Sequence, residues 1–112
     1  MKYRNKKTII DGITFDSKLE AKRYTQLKTL EKANKIKNLE LQPKFELQPS
    51  FKKNGKTYRN IVYKADFKYF DNELGKLVVE DTKGFKTKDY MLKKKMFEYK
   101  YQDLEINEVQ RW

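Results

Sequence analysis

The sequence predicts an α/β fold in which a mixed, mainly antiparallel central sheet is flanked by helices, in the order helix, three strands, helix, strand. Three observations predict it. Ser17-Lys18-Leu19-Glu20 has capping-box spacing and is followed by apolar residues at near-helical intervals; Tyr58 to Tyr69 and Lys76 to Lys83 alternate with a period of two; and Thr87 opens a second, lysine-bearing helical segment. With 112 residues and 38% hydrophobic content the chain has room for one modest core, so residues 1–112 are expected to form one domain, 1–16 a hairpin or arm and 17–112 the core.

Element by element, Asp11-Gly12 between β-favouring residues marks a small hairpin in Thr8 to Phe15. A helix is expected from about Ser17 to Lys35, with Leu19, Tyr24, Leu27 and Leu30 on its apolar side. Leu39, Leu41, Phe45 and Leu47 alternate as a strand, but Pro43 and Pro49 assign that strand to a sheet edge. Asn54-Gly55 marks a turn. Beyond it one long strand is expected, with Ile61, Tyr63, Ala65, Phe67 and Tyr69 on one face and Val62, Lys64, Asp66 and Lys68 on the other. After Asn72-Glu73-Leu74-Gly75, the next arm turns Leu77, Val79, Asp81 and Lys83 to one side and Val78, Glu80 and Thr82 to the other. A helix from Thr87 through Tyr99 and a strand from Leu104 to Val109 complete the pattern.

Charge narrows the function. The chain has 27 Lys and Arg against 16 Asp and Glu, a net of +11. Residues 1–64 carry 17 basic and 6 acidic side chains, whereas residues 65–112 carry 10 of each. A polyanion is the natural partner of such a surface, because cations that neutralise phosphates release condensed counterions; solubility alone is the plainer explanation. No apolar run approaches a membrane span and none near the N-terminus resembles a signal peptide. The absence of cysteine excludes disulfides and thiolate zinc sites and is compatible with a reducing cytoplasm; the absence of histidine excludes a Ser-His-Asp triad and a histidine general base. Catalysis by this chain must rest on carboxylates, lysines and metal.

Asp66, followed after a turn by Asp81-Thr82-Lys83, has the chemistry for that. Phosphodiester hydrolysis needs carboxylates converging on a divalent cation and an ammonium beside the attacking water. Two acids in adjacent β arms, where Asp is disfavoured, ask for a common explanation, although Asp66 also fits as a solvated partner of Lys64 or Lys68, and Asp81 with Lys83 as a surface ion pair.

The order of elements, with Glu20 in the first helix, Asp66 in the second strand of the trio, Asp81-Thr82-Lys83 in the third and a lysine-bearing helix after it, resembles the PD-(D/E)XK nuclease superfamily. More closely, Tyr63-Lys64-Ala65-Asp66-Phe67, Val79-Glu80-Asp81-Thr82-Lys83-Gly84 and Thr87 to Tyr90 resemble a family of small phage-encoded proteins within it, over nearly the whole chain. Ala65 stands where the superfamily's name has proline.

The resemblance implies a restriction-endonuclease-like core and a Mg²⁺-dependent DNA endonuclease, Mn²⁺ substituting, that leaves a 5′-phosphate. It implies Asp66 and Asp81 as metal ligands with the Thr82 carbonyl a further one, and Lys83 as the group that orients or deprotonates water. Glu20 matches a first-helix acid that some members use as a ligand; it is equally the reciprocal half of the capping box. The run Lys93-Lys94-Lys95 fits a solvated helix face, but because its helix follows the site strand, Lys94 or Lys93 is expected to reach a substrate phosphate, with Lys86, Lys88, Tyr90 and Arg23 as candidate backbone contacts. Tyr58-Arg59 and Tyr63-Lys64 interleave aromatics with cations, a pattern that suits base stacking, but strand alternation assigns Tyr63, Phe67 and Tyr69 to the core. A branched-DNA or Holliday-junction substrate, a homodimer, phage recombination or replication proteins as partners and the host cytoplasm as location follow from the same likeness. The alternative is a non-catalytic nucleic-acid-binding or regulatory protein with the same fold.

Overall fold

A computed structural model describes residues 7–82 and 86–109. The N-terminal hairpin is present: β1 (Thr8–Ile10) and β2 (Ile13–Phe15) pair antiparallel, and Asp11 and Gly12 take the two positive φ angles, 54° and 76°, of the tight turn that joins them. Helix α1 (Lys18–Lys32) begins where the capping box predicts, with the Ser17 hydroxyl accepting from the Glu20 amide at 3.1 Å. It ends about three residues early. Asn34 is left-handed, φ 62°, and turns the chain into the next strand.

The expected single edge strand is two. β3 (Ile36–Leu41) and β4 (Lys44–Gln48) are separated by Gln42, at φ 51°, and Pro43, and they pair with different partners. The expected continuous strand from Tyr58 to Tyr69 is likewise three: β6 (Lys56–Tyr58), β7 (Ile61–Lys64) and β8 (Phe67–Asp71), while β5 (Phe51–Lys53) pairs with β6. β9 (Lys76–Thr82), α2 (Lys88–Lys100) and β10 (Ile106–Val109) follow. The Thr87 hydroxyl caps α2 by accepting from the Tyr90 amide at 3.0 Å.

The central sheet has the order β10-β9-β8-β3 and is mixed, with only β9 and β10 parallel. Within the central sheet the predicted order of helix, three strands, helix, strand appears as α1, β3, β8, β9, α2 and β10, with β3 at an edge, but four further strands, β4 to β7, intervene in the chain and pair outside that sheet. One apolar layer joins α1 and the N-terminal hairpin to the sheet through Phe15, Ala21, Tyr24, Leu27, Ile36, Phe67 and Tyr69. The other joins α2, the β4–β7 pair and the opposite sheet face through Phe45, Leu47, Tyr63, Ala65, Val79, Tyr90, Phe97 and Ile106.

Those two layers correct the predicted facing of the middle strand. Tyr63 and Ala65 belong to the α2 layer, but Phe67 and Tyr69 belong to the α1 layer. A continuous strand cannot do this, because residues two apart share a face. The chain breaks its pleat at Ala65-Asp66 and crosses from one layer to the other, held there by hydrogen bonds from Ala65 N to Pro43 O, from Gln42 N to Asp66 O and from Asp66 N to Glu80 O. Among the described residues no helix is long and apolar enough to cross a membrane.

Candidate active site

Asp66 occupies that crossover. Its Oδ2 accepts two hydrogen bonds of 2.7 Å, from the Thr82 backbone N–H and the Thr82 hydroxyl, which aim the carboxylate at the last residue of β9. Strand alternation in β9 holds as expected. Val78 and Glu80 turn to the α1 layer, while Val79 and Asp81 turn to the α2 layer. Asp81 is buried and accepts from the Tyr63 hydroxyl. Burial first, and the Asp81 carboxylate second, hold the Tyr63 phenol far above its ordinary value, so it remains a donor at any working pH.

Glu20 is buried, at 4% exposure, and its Oε2 accepts no hydrogen bond. Burial, then the negative charges of Asp66 and Asp16, push its carboxyl up to about 7, against hydrogen bonds from the Asp16 backbone and the Gln42 side chain. Its backbone partner is thus Asp16 rather than the Ser17 of a reciprocal capping box. Asp66 lies within electrostatic reach of both Glu20 and Tyr63. Lys83 lies outside the described residues.

Among the described residues no three acidic groups converge closely enough to hold a cation. What the fold assembles is a pair, Glu20 with Asp66, beside Thr82, with Asp81 next in the strand and turned into the other layer. Glu20 feels the negative charge of Asp66, and one of its own buried oxygens lacks a donor; oxygen atoms of this kind are the ligands that hard divalent cations take.

The raised Glu20 carboxyl has a consequence for stability in metal-free buffer. The unfolded chain ionises Glu20 near 4.5 but the folded one only near 7, so stability is full below about 4.5 and falls as pH rises through about 7. Glu20→Gln is expected to flatten that dependence and to raise stability at about pH 8 by up to about 3 kcal/mol, measured by urea unfolding across pH. A profile identical to the native one would show that Glu20 ionises freely.

Several expected nucleic-acid contacts are engaged elsewhere. Arg23 is not presented to solvent as a phosphate contact: Nε and Nη2 clamp the fully buried Glu80 carboxylate at 2.8 and 2.7 Å, Nη1 reaches Gln26, and the Tyr69 hydroxyl also donates to Glu80. Tyr90 is likewise a core residue, 6% exposed, whose hydroxyl donates to Glu108 at 2.7 Å. Lys86 and Lys94 meet the same carboxylate at 2.9 and 3.3 Å. Lys93 lies 3.9 Å from Asp89, and Lys88 is exposed.

Glu108 escaped the sequence reading because only the parallel pairing of β10 with β9 aligns it with Asp81. Burial alone would raise its carboxyl, but donors from Tyr90, Lys86 and Lys94 overcome it and hold the group down at about 2. The linkage runs opposite to that of Glu20: its contribution is present above about 4.5 and lost as pH falls through about 2. Glu108→Gln is expected to cost about 1–3 kcal/mol at neutral pH, and that cost to shrink in acid, as read by urea unfolding at both pH values.

Comparison with curated proteins and with solved structures finds no match. Comparison with protein families matches residues 1–112, and on that match the chain belongs to the family described as "Protein of unknown function (DUF1064)".

Proposed function

We propose that this protein is a Mg²⁺-dependent DNA endonuclease with a restriction-endonuclease-like core, hydrolysing phosphodiester bonds to leave a 5′-phosphate. The observation that carries this reading is the buried Glu20 carboxylate, one oxygen without a donor and driven up to about 7 by burial and by Asp66, at the crossover beside Asp81-Thr82. A bound cation would offset the cost of burying Glu20 near a second carboxylate.

Asp66 and Glu20 would hold the ion, with the Thr82 carbonyl as a further ligand; Asp81 faces the α2 layer and stands outside this ligand set. Bound there, Mg²⁺ supplies positive charge for the developing phosphorane and a more acidic attacking water. The Thr82 amide and hydroxyl keep the Asp66 carboxylate oriented, and the Tyr63 hydroxyl does the same for Asp81. Lys83 would orient the water and offset charge on the phosphoryl oxygens. The exposed cations of the N-terminal half, where the net charge is 17 − 6 = +11, would track the backbone.

The test is cleavage of end-labelled linear, single-stranded, flapped and four-way-junction DNA in Mg²⁺, Mn²⁺ or EDTA. Metal-dependent cutting with a 5′-phosphate product is expected. Preference for the four-way junction together with concentration-dependent dimerisation would identify a resolvase. Binding in Ca²⁺ with no cutting in Mg²⁺ or Mn²⁺ would overturn the nuclease reading in favour of a non-catalytic nucleic-acid-binding or regulatory protein.

A further inference from the structure

β4 and β7 form the proximal half of a two-stranded ribbon, and the β5–β6 hairpin continues it. The proximal half is covered by α2, through Phe45 and Leu47 on one arm and Tyr63 on the other. The distal half has no cover. Every residue from Phe51 to Asn60 is exposed, and Asn54 and Gly55, at φ 54° and 75°, close the tip in a tight turn. The radius of gyration, 16.0 Å, exceeds the roughly 13 Å of a compact chain of this length, as a projecting arm requires.

The composition of this arm is costly for a free surface. Phe51 and Tyr58 are cross-strand partners, 43% and 40% exposed, and stack at 4.8 Å between centroids with planes 11° apart. Lys53 and Lys56 are also directly opposed, and alternation puts them on the same face as the two rings. Lys44 and Lys64 repeat the like-charge pairing near the base. Such pairs repel. Between Glu46 and Asp66 the chain carries Lys52, Lys53, Lys56, Arg59 and Lys64 and no acid. An anionic ligand offering flat apolar faces would offset both costs, and unpaired nucleic-acid bases on their phosphate backbone are that ligand.

We propose that the β5–β6 hairpin is a binding arm for single-stranded or locally unpaired nucleic acid, in which Phe51 and Tyr58 stack on bases while Lys52, Lys53, Lys56 and Arg59 track the backbone. It rests on the nucleic-acid part of the preceding reading and not on its chemistry. The arm leads toward the site: Tyr58 lies eight positions before Asp66, at most about 25 Å along the chain through β7. The hairpin would therefore hold an unpaired stretch of the strand some distance from the bond to be cut, which favours substrates with an opened duplex over intact ones.

The experiment is fluorescence anisotropy with labelled oligo(dT) and with a blunt duplex of equal length, in Ca²⁺ so that no cutting intervenes. The double variant Phe51→Leu/Tyr58→Leu keeps apolar bulk without the ring faces. It is expected to bind oligo(dT) about tenfold or more weakly, with a smaller loss on duplex and an unchanged melting temperature. Phe51→Trp/Tyr58→Trp should retain native affinity. Lys52→Gln/Lys53→Gln/Lys56→Gln should lower the salt slope on oligo(dT) by about 2. Unchanged oligo(dT) affinity in the leucine variant, or an equal loss on duplex, would overturn the proposal. Retained oligo(dT) affinity with lost binding to phosphatidylserine vesicles would overturn it in favour of a membrane surface. Because binding is read without cleavage, an inactive protein that still needs its hairpin for oligo(dT) refutes the nuclease reading alone.

Discussion

Asp66→Asn is expected to lower single-turnover cleavage of labelled DNA in Mg²⁺ by about three orders of magnitude while leaving the protein folded and able to bind DNA in Ca²⁺. The substitution is nearly isosteric and keeps one side-chain oxygen for the Thr82 amide and hydroxyl, so the crossover between β7 and β8 retains its contacts. What it removes is the negative charge, and loss of one group that stabilises the transition state typically costs 10²–10³-fold or more. The charge removed is also one of those that push up the Glu20 carboxyl, so metal-free Asp66→Asn should be at least as stable as the native chain near pH 8. Millimolar Mg²⁺ should raise the melting temperature of the native protein and raise that of Asp66→Asn less, since a ligand stabilises only the state that binds it. Lys83→Ala should lose cleavage to a similar degree yet keep the Mg²⁺-dependent rise, because an ammonium is not a ligand. Asp66→Asn that cuts at the native rate would sink the assignment of Asp66 to the reaction.

Arg23→Met carries the largest expected effect on stability, a loss of about 3–5 kcal/mol in urea unfolding at neutral pH. The Glu80 carboxylate is fully buried and takes both of its guanidinium bonds from Arg23, whose own side chain is 20% exposed. Without Arg23, Glu80 keeps the Tyr69 hydroxyl as a donor but no cation, and an uncompensated buried charge is far costlier than the pair was worth. Arg23→Met/Glu80→Leu should recover most of the loss, because two apolar side chains replace a pair whose attraction was largely offset by desolvation. The coupling separates this role from phosphate binding. If Arg23 served DNA, the single variant would weaken binding at native stability, and the double variant would rescue nothing.

The ion pair also shows why neighbours in β9 have different surroundings. Glu80 and Asp81 are chemically alike and adjacent, but alternation sends Glu80 to Arg23 on α1 and Asp81 to Tyr63 in the α2 layer. Glu80 is consumed by a structural pair, whereas Asp81 meets a tyrosine hydroxyl in the other layer. The cost is that Asp81 does not share a face with Glu20.

Features that depend on a few consecutive residues were legible in the sequence: the Ser17 and Thr87 caps, the Asp11-Gly12 and Asn54-Gly55 turns, and the opposed faces of Glu80 and Asp81 in β9. Each is decided by local backbone sterics, a nearby side-chain acceptor or the pleat. The burial of Tyr63, Phe67 and Tyr69 was legible too, although not the layer each enters. Tertiary structure alone decided that Ala65-Asp66 breaks the pleat, that Gln42-Pro43 divides one apparent strand into two, that Arg23 meets Glu80 57 residues away, and that Glu108 gathers Tyr90, Lys86 and Lys94. Alternation in a sequence records which residues avoid water but not which of two apolar layers receives them. That choice depends on strand register and on the helix that covers each face, and both are set by contacts between segments far apart in the chain.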